Sequence, residues 1–199
     1  SVNTRTDEWG GTVEKRCKFL LEVLKELVDV WGPGRVGVRL SPSSDTGPAK
    51  VEGTQAFIMY GQTDDSDGAV YEHAAAAIND LPLAYLLLTE PRWDPVAERR
   101  GRQDPAAAIN AAGAHARIYR QIYKGNIISA GGYTPDTAEH ALAEGLCDAV
   151  AFGRWFISNP DLPDRIRQGA PLNRYERGLF YTYDEEGYTD YPNLAGTIG

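Results

Sequence analysis

Cysteine and histidine are scarce in this sequence, and neither is arranged in a metal-binding pattern. The 199 residues include 2 cysteines and 3 histidines. No Cys-x-x-Cys or His-x-x-x-His motif joins them, so we expect no metal site. Cys17 lies in a helical pattern and Cys147 precedes an apolar run, which favours small core residues in a reducing compartment. A disulfide between these two residues is the alternative.

The chain also lacks a long apolar run and an excess of positive charge. No stretch approaches the roughly 20 residues that a bilayer-spanning helix needs, and no signal peptide opens the sequence. The net charge is -8, which opposes generic attraction to nucleic acid. We therefore expect a cytoplasmic protein with neither a membrane nor a nucleic-acid partner.

Two well-known functional motifs are missing as well. Neither the Walker pattern nor G-x-S-x-G occurs, which removes support for a P-loop nucleotidase and an α/β-hydrolase. The spacing G-x-G-x-x-G occurs only from Gly32 to Gly37, where a predicted helix ends before a strand. The Rossmann fingerprint needs a strand before these glycines and a helix after them, so that fold has no support either.

What the sequence does contain is an alternation of helical and strand patterns. Helices are predicted at about Thr12 to Trp31, Asp67 to Asn79, Ala106 to Tyr123 and Pro135 to Glu144, with another beginning near Asn159-Pro160. Strands are predicted at Val36 to Leu40, Leu83 to Leu88, Asn126 to Ala130 and Ala149 to Phe152. This order predicts right-handed βαβ units and a parallel sheet. A complete (β/α)₈ barrel needs about 250 residues, so four strands amount to about half of one.

The first helix and the last strand carry specific expectations. Thr12 is the predicted N-cap of the helix, and Gly32-Pro33-Gly34 is expected to end it. Spacings of three and four predict one apolar face made of Phe19, Leu20, Val23, Leu24, Leu27 and Val28. The strand from Ala149 to Phe152 is continuously apolar, which is typical of a parallel strand covered on both faces.

Glycine-bearing turns follow two neighbouring predicted strands. They are Gly131-Gly132 and Gly153-Arg154. Glycine lets a ligand approach the backbone closely, and the arginine fork suits phosphate. At the carboxyl ends of barrel strands this pattern predicts a phosphate site. The alternative is that the glycines only serve tight turns.

Two further regions leave alternatives open. Arg39 lies in a predicted strand among apolar residues, where a guanidinium is costly without a partner, so we expect either an ion pair inside the barrel or a bound ligand. The stretch from Leu179 to Pro192 is crowded with aromatic residues, which either stack on a flat ligand or pack over the barrel's mouth. The long loop from Ser41 to Asp67 is typical of a binding lid or a mobile segment.

Six segments occur in a recognisable order between Asn3 and Pro192. They are NTRTDEWGG, VGVRLSP, ISAGGYTPDTAEHAL, AFGRWFISNPDLPDRI, GAPLN and the ending FY…GYTDYP. Together they resemble the carboxyl-terminal half of the old yellow enzyme family, the FMN-dependent ene-reductases. The resemblance implies that residues 1–199 are the second half of a single FMN-binding (β/α)₈ TIM barrel, with the four predicted strands as strands five to eight.

The resemblance also implies a cofactor site and an activity. It places Arg39 beside the N1/O2 edge of the flavin, Phe180 beside the flavin and Tyr181 at the substrate pocket. The residues that it implies at the FMN phosphate are Gly131, Gly132, Gly153 and Arg154. The implied reaction takes a hydride from NADPH and reduces the C=C bond of a small α,β-unsaturated carbonyl compound, with quinones, nitro compounds and oxygenated lipids as further substrates of the family.

The family's proton-donating tyrosine and its carbonyl-binding His/His or His/Asn pair belong upstream of the position matched by Asn3. The chain begins at Ser1 without an initiator Met, so we expect a preceding half and no catalytic residue here, and the isolated chain should be inactive. One alternative is a non-catalytic half-barrel that acts in binding or assembly. A phosphate-binding barrel of the aldolase or isomerase kind explains the glycine turns but neither VGVRLSP nor the ending. An isolated half would expose sheet edges and apolar surface, which favours oligomers.

Overall fold

The structure, a computed structural model, describes residues 3–42, 54–55, 68–90, 92–93 and 113–196. The chain divides into two units, Ser1–Ala151 and Phe152–Gly199. Most of the predicted loop from Ser41 to Asp67 lies outside the described residues. The predicted helix start at Asp67 and the first part of the helix predicted from Ala106 lie outside them too.

The first unit alternates helices with parallel strands. Its helices are α1 Val13–Trp31, α2 Ala69–Ala77 with a following 3₁₀ turn Ile78–Asp80, α3 Ala114–Ile122 and α4 Pro135–Ala143. Its strands are β1 Gly37–Leu40, β2 Thr54–Gln55, β3 Tyr85–Thr89, β4 Arg92–Trp93, β5 Ile127–Ala130 and β6 Ala149–Ala151. One parallel sheet has the order β1-β3-β5-β6, and β2 pairs with β4 in an antiparallel sheet. The predicted order of four parallel strands is therefore confirmed.

The parallel sheet has one covered face and one open face. Its register aligns Val38 with Leu86 and Leu86 with Ile127, and none of these three side chains is more than 8% exposed. The alternate positions Arg39 and Tyr85 are exposed. Because successive side chains of a strand point to opposite faces, hydrophobic burial is concentrated on the face that carries Val38.

The last strand differs from its prediction. Ala149 in β6 is exposed, and Val150 and Ala151 are only half-buried. Among the described strands β6 pairs only with β5, at the end of the sheet. The expectation of a strand covered on both faces is wrong for this chain, because the described elements do not bury the side chains of β6.

Helix α1 begins where its cap was predicted. The N–H of Lys15 donates to the Thr12 hydroxyl oxygen, and Gly32, with φ of 87°, follows the last helical residue. The single predicted apolar face is wrong: Leu24 and Val28 are buried, whereas Phe19 is 67% exposed. Leu24 and Val28 belong with Cys17 to the buried stripe of α1, while Phe19 lies on another stripe. No described helix, α1 included, is long and apolar enough to cross a membrane.

Both cysteines have the core environment predicted for them. Each is free and buried, so the disulfide alternative is wrong. The Cys17 thiol donates to the carbonyl of Val70 at 3.2 Å. Burial raises the pKa of Cys147 to about 11.

The second unit contains two short helices and a tethered carboxyl-terminal segment. Its helices are α5 Arg154–Ser158 and α6 Leu162–Gln168, followed by a 3₁₀ turn Arg177–Leu179. The helix predicted to begin near Asn159-Pro160 is α6, which begins two residues later at Leu162, because Asn159 has an extended backbone between the two helices. Its side chain instead accepts the N–H of Asn173 at 2.7 Å and donates to the carbonyl of Trp155 at 2.9 Å.

Arg165, on α6, fixes both ends of that segment. Its guanidinium donates to the Asp161 carboxylate at 2.6 Å, to the carbonyl of Pro171 at 2.7 Å and to the carbonyl of Pro192 at 2.8 Å. The Asn173 amide also donates to the carbonyl of Pro192, at 2.7 Å. Arg165 is only 4% exposed, so these bonds form with little competition from water.

Replacing Arg165 should loosen the segment between Asn173 and Pro192. Arg165→Met keeps the apolar stem but leaves the carbonyl oxygen of Pro171 and one oxygen of the Asp161 carboxylate without this donor, at a cost of about 1 to 3 kcal/mol. The Pro192 carbonyl then has only the Asn173 amide. We expect faster limited proteolysis within residues 174–191, read by mass spectrometry. Arg167→Met, at an arginine that pairs with Asp164 on the surface, is the control. Equal cleavage rates for both variants and the wild type would contradict the role of Arg165.

Candidate functional site

Arg39 lies on the open face of the sheet, at the end where β1 and β3 finish. Its Nε donates to the hydroxyl oxygen of Thr89 at 3.1 Å, and the Ser41 hydroxyl lies 3.1 Å from the same oxygen. Arg39 is exposed, and no described carboxylate pairs with it. The expected ion pair is thus not found among the described residues. The hydrogen bond to Thr89 and contact with solvent satisfy this guanidinium, so it does not have the desolvation cost that was expected of an unpaired arginine.

The Gly131-Gly132 turn follows β5 and lies beside the end of β3. Gly131 has φ of 136° and Gly132 has φ of 72°. A Cβ on Gly131 would lie 3.3 Å from the carbonyl oxygen of Glu90, whereas a Cβ on Gly132 would meet nothing within 4 Å. Gly131 is therefore needed for a close approach, and Gly132 presents bare backbone to open space. A phosphate could approach Gly132 without meeting a side chain.

The two glycines should respond differently to alanine. Gly131→Ala combines a backbone conformation that only glycine adopts readily with a close backbone contact, which costs about 1 to 3 kcal/mol. Gly132→Ala has only the left-handed conformation to overcome, at about 1 to 2 kcal/mol. We expect the larger loss in free energy of unfolding for Gly131→Ala, measured by urea denaturation. An equal or smaller loss there would contradict the close packing on Glu90.

A buried polar cluster lies behind this turn. We call it the Glu90 cluster, and its members are Glu90, His115, Ser129 and Tyr133. The Glu90 carboxylate accepts from the Ser129 hydroxyl at 2.6 Å, and the His115 Nδ1 donates to the carbonyl of Thr89 at 2.7 Å. Burial raises the pKa of Glu90, and it also raises the pKa of Tyr133. Sequence analysis missed this cluster, although the polar pair Thr89-Glu90 directly after an apolar strand was a usable signal.

Gly153 and Arg154 lie in the second unit, at the start of α5. Gly153 has φ of -96°, which any residue adopts, and a Cβ there would meet nothing within 4 Å. Its backbone conformation therefore does not require glycine, but its missing side chain leaves open space. Arg154 is half-buried, and no described carboxylate forms an ion pair with it. Its charge is therefore available to an anion.

The aromatic residues of the second unit divide into a packed row and an exposed group. Tyr175 packs between Trp155, at a ring-centroid distance of 5.1 Å, and Phe180, at 5.5 Å. Tyr181 is 94% exposed, and Tyr183 is fully exposed. The packing interpretation thus fits half-buried Phe180, but it is wrong for Tyr181 and Tyr183 within the described residues.

The structure brings some of the candidate residues together at one point. Arg39 bonds to Thr89, and Gly131 packs on Glu90, so consecutive residues at the carboxyl end of β3 support both. The candidates of the second unit are Gly153, Arg154, Phe180 and Tyr181. The three histidines lie on separate helices, α2, α3 and α4, and no group of metal-binding side chains is found in the described part of the chain.

Comparison with known proteins gives one matching family model and many similar sequences. The model of the NADH:flavin oxidoreductase / NADH oxidase family matches residues 1–173. The chain is 41% identical over 197 residues to 12-oxophytodienoate reductase 2 of Arabidopsis thaliana, covering 98% of this chain and 46% of that protein. It is 39% identical over 198 residues to 12-oxophytodienoate reductase 1 of Oryza sativa subsp. japonica, covering 98% and 46%. The chain spans about half the length of these relatives.

Solved structures resemble the chain over the same share of their length. Morphinone reductase is similar with a TM-score of 0.74 and 38% identity, covering 96% of this chain and 45% of that one. The old yellow enzyme homologue from Zymomonas mobilis gives a TM-score of 0.75 and 32% identity, covering 96% and 48%. The four parallel strands β1, β3, β5 and β6 are thus the second half of a (β/α)₈ barrel, as the sequence predicted.

Proposed function

The chain belongs to the old yellow enzyme family of NADH:flavin oxidoreductases, and from this premise we propose that it is part of an FMN-dependent ene-reductase. The proposed reaction takes a hydride from NADPH and saturates the C=C bond of a small α,β-unsaturated carbonyl compound. The observation that carries the proposal is the Arg39 guanidinium. It is held on the open face of the sheet by Thr89, exposed and without a described carboxylate partner.

The residues present fit the charge and shape of FMN. An FMN molecule has a phosphate with about two negative charges at one end and a flat ring at the other. Gly132 offers backbone in open space, and Arg154 offers a permanent charge, both of which suit the phosphate. Arg39 suits the ring edge that becomes more negative on reduction. Phe180, half-buried on Tyr175, supplies an apolar surface of the kind that packs on a flat ring.

Bound FMN would supply the two-electron chemistry by which a hydride passes from NADPH to the β-carbon of the substrate. The chain's own residues would bind FMN and orient its ring. Arg39 would favour negative charge at the ring edge, and the family resemblance assigns Gly131, Gly132, Gly153 and Arg154 to the phosphate. Tyr181, with its ring in solvent, is assigned to the substrate pocket. The proton for the α-carbon comes from a donor in the half of the family's barrel that this chain does not span.

The names of the relatives support the substrate class and the type of reductant. Relatives are named for the reduction of 12-oxophytodienoate and of morphinone. Morphinone reductase has also been solved in complex with tetrahydroNAD, a nicotinamide compound. We therefore propose a small enone as substrate, with quinones, nitro compounds and oxygenated lipids as further candidates. NADPH is proposed over NADH on the family resemblance.

A visible absorption spectrum tests the proposal directly. The protein that joins this chain to the first half of its barrel should show flavin bands that bleach anaerobically with NADPH and return when cyclohexenone is added. Parallel titration with NADH measures the preference between the two nucleotides. A colourless protein that cannot be reconstituted with FMN would overturn the proposal.

A further inference from the structure

Glu90 is a buried carboxylate that the proposed reaction does not use. It directly follows β3 and is 0% exposed. Its Oε2 accepts the N–H of His115 at 2.8 Å, and its Oε1 accepts the N–H of Ala116 at 3.0 Å and the hydroxyl of Ser129 at 2.6 Å. These donors belong to the amino end of α3 and to β5. One side chain thus ties the ends of β3 and β5 to the start of a helix.

The same residue supports the Gly131-Gly132 turn on both sides. Before the turn, Ser129 donates to the Glu90 carboxylate, and after it the Tyr133 hydroxyl lies 2.8 Å from the Ser129 oxygen. The N–H of Glu90 also donates to the carbonyl of Ala130 at 2.8 Å. At the turn itself, the backbone of Glu90 occupies the space beside the α-carbon of Gly131. Glu90 therefore contacts Ser129, Ala130 and Gly131 directly, and it reaches Tyr133 through Ser129.

These contacts require two acceptor oxygens. The backbone N–H groups of His115 and Ala116 can only donate, and each is bonded to a different carboxylate oxygen. A glutamine at position 90 would present one oxygen and one NH₂ group, and the NH₂ group cannot accept from an N–H. One of the two backbone donors would then lose its partner in a buried site. The change is nearly isosteric, so it tests the acceptor rather than the volume.

We propose that Glu90 is the positioning residue of the Gly131-Gly132 turn and holds it in the conformation that receives the phosphate of FMN. The inference rests on the proposed function, because the phosphate belongs to the cofactor assigned there. Glu90 acts through Ser129 and the backbone without touching the ligand. A rigid turn binds phosphate more tightly than a mobile one, because less conformational entropy is lost on binding.

Two measurements on Glu90→Gln separate the turn from the cofactor. Amide hydrogen exchange in the 199-residue chain reports on residues 129–133 without any FMN. We expect at least about tenfold faster exchange at the turn, because the neutral amide leaves a buried donor of α3 unpaired and no longer offers the Ser129 hydroxyl a charged acceptor. In the complete barrel, the dissociation constant for FMN, measured by quenching of flavin fluorescence, should rise by about tenfold. Glu139→Gln, at an exposed carboxylate on α4, is the matched control and should change neither value.

Ser129→Ala is the second variant, in case Glu90→Gln does not fold. It removes one of the three donors to Glu90 and should shift both readouts in the same direction by a smaller factor. Faster exchange with weaker FMN binding supports the proposal. Unchanged exchange overturns the positioning of the turn, and faster exchange with unchanged FMN affinity overturns its role toward the phosphate. If the wild-type barrel binds no FMN, the proposed function fails and the phosphate role with it, while the exchange data decide separately whether Glu90 holds the turn.

Discussion

Arg154→Ala should weaken the binding of FMN by about ten- to hundredfold in the complete barrel. A hydrogen bond to a charged group contributes about 1.5 to 3 kcal/mol, and each 1.4 kcal/mol is a factor of ten in affinity. Arg154 is half-buried at the start of α5 and has no described carboxylate partner, so little else depends on its charge. The dissociation constant can be measured by titrating the apoprotein with FMN and following flavin fluorescence.

The control for Arg154 is Arg167→Ala on α6. Arg167 pairs with Asp164 on the surface, so its loss removes one positive charge from the same unit without removing a phosphate ligand. Its FMN affinity should equal that of the wild type. Unchanged affinity in Arg154→Ala would show that backbone N–H groups suffice for the phosphate. A rise in salt concentration should narrow the gap between wild type and Arg154→Ala, because a direct charge contact is screened.

Arg39→Met should lower the reduction potential of the bound flavin by about 30 to 65 mV. The charge of Arg39 favours the reduced ring, which carries more negative charge, and a loss of about 1.4 kcal/mol corresponds to about 30 mV for a two-electron couple. Methionine keeps much of the unbranched stem while removing the charge. The potential can be measured by anaerobic titration against a reference dye.

Two variants control for Arg39→Met. Arg39→Lys keeps the positive charge but loses the planar fork that reaches Thr89 through Nε, so its potential should lie nearer to that of the wild type. Arg35→Met removes an exposed arginine just before β1 and should leave the potential unchanged. An unaltered potential in Arg39→Met would contradict the place assigned to this residue beside the ring.

Much of the architecture could be predicted from the sequence because periodicity and caps are local signals. Thr12 was predicted as a cap, and its hydroxyl accepts from the backbone N–H of Lys15, three residues later. The four parallel strands followed from apolar runs between helices. The exposure of Phe19 could not be predicted, because a helical pattern shows which residues are apolar but not how many other elements pack against the helix.

Part of the candidate site could be predicted from the sequence, and part of it could not. Arg39, Gly131 and Gly132 were visible as unusual residue types at strand ends, and the structure connects the first two through Thr89 and Glu90. The carboxylate of Glu90 and the hydroxyl of Ser129 were not predicted to meet, because they are separated by 39 positions along the chain. Such partners depend on sheet register, here Leu88 opposite Ser129 and Thr89 opposite Ala130. Register is a tertiary property that one sequence does not reveal.

Because one face of the sheet is covered and the other is open, alternate positions along each strand differ in how well they tolerate substitution. Residues such as Val38, Leu86 and Ile127 point to the covered face, so randomising them would mostly yield misfolded clones. Their neighbour Leu87 points the other way and is half-buried, as are Ile128 and Ala130 of β5, so substitution there removes less packing within this chain. A mutant library at these three positions, with Arg39 and Thr89 kept, would therefore vary the open face with less damage to the fold.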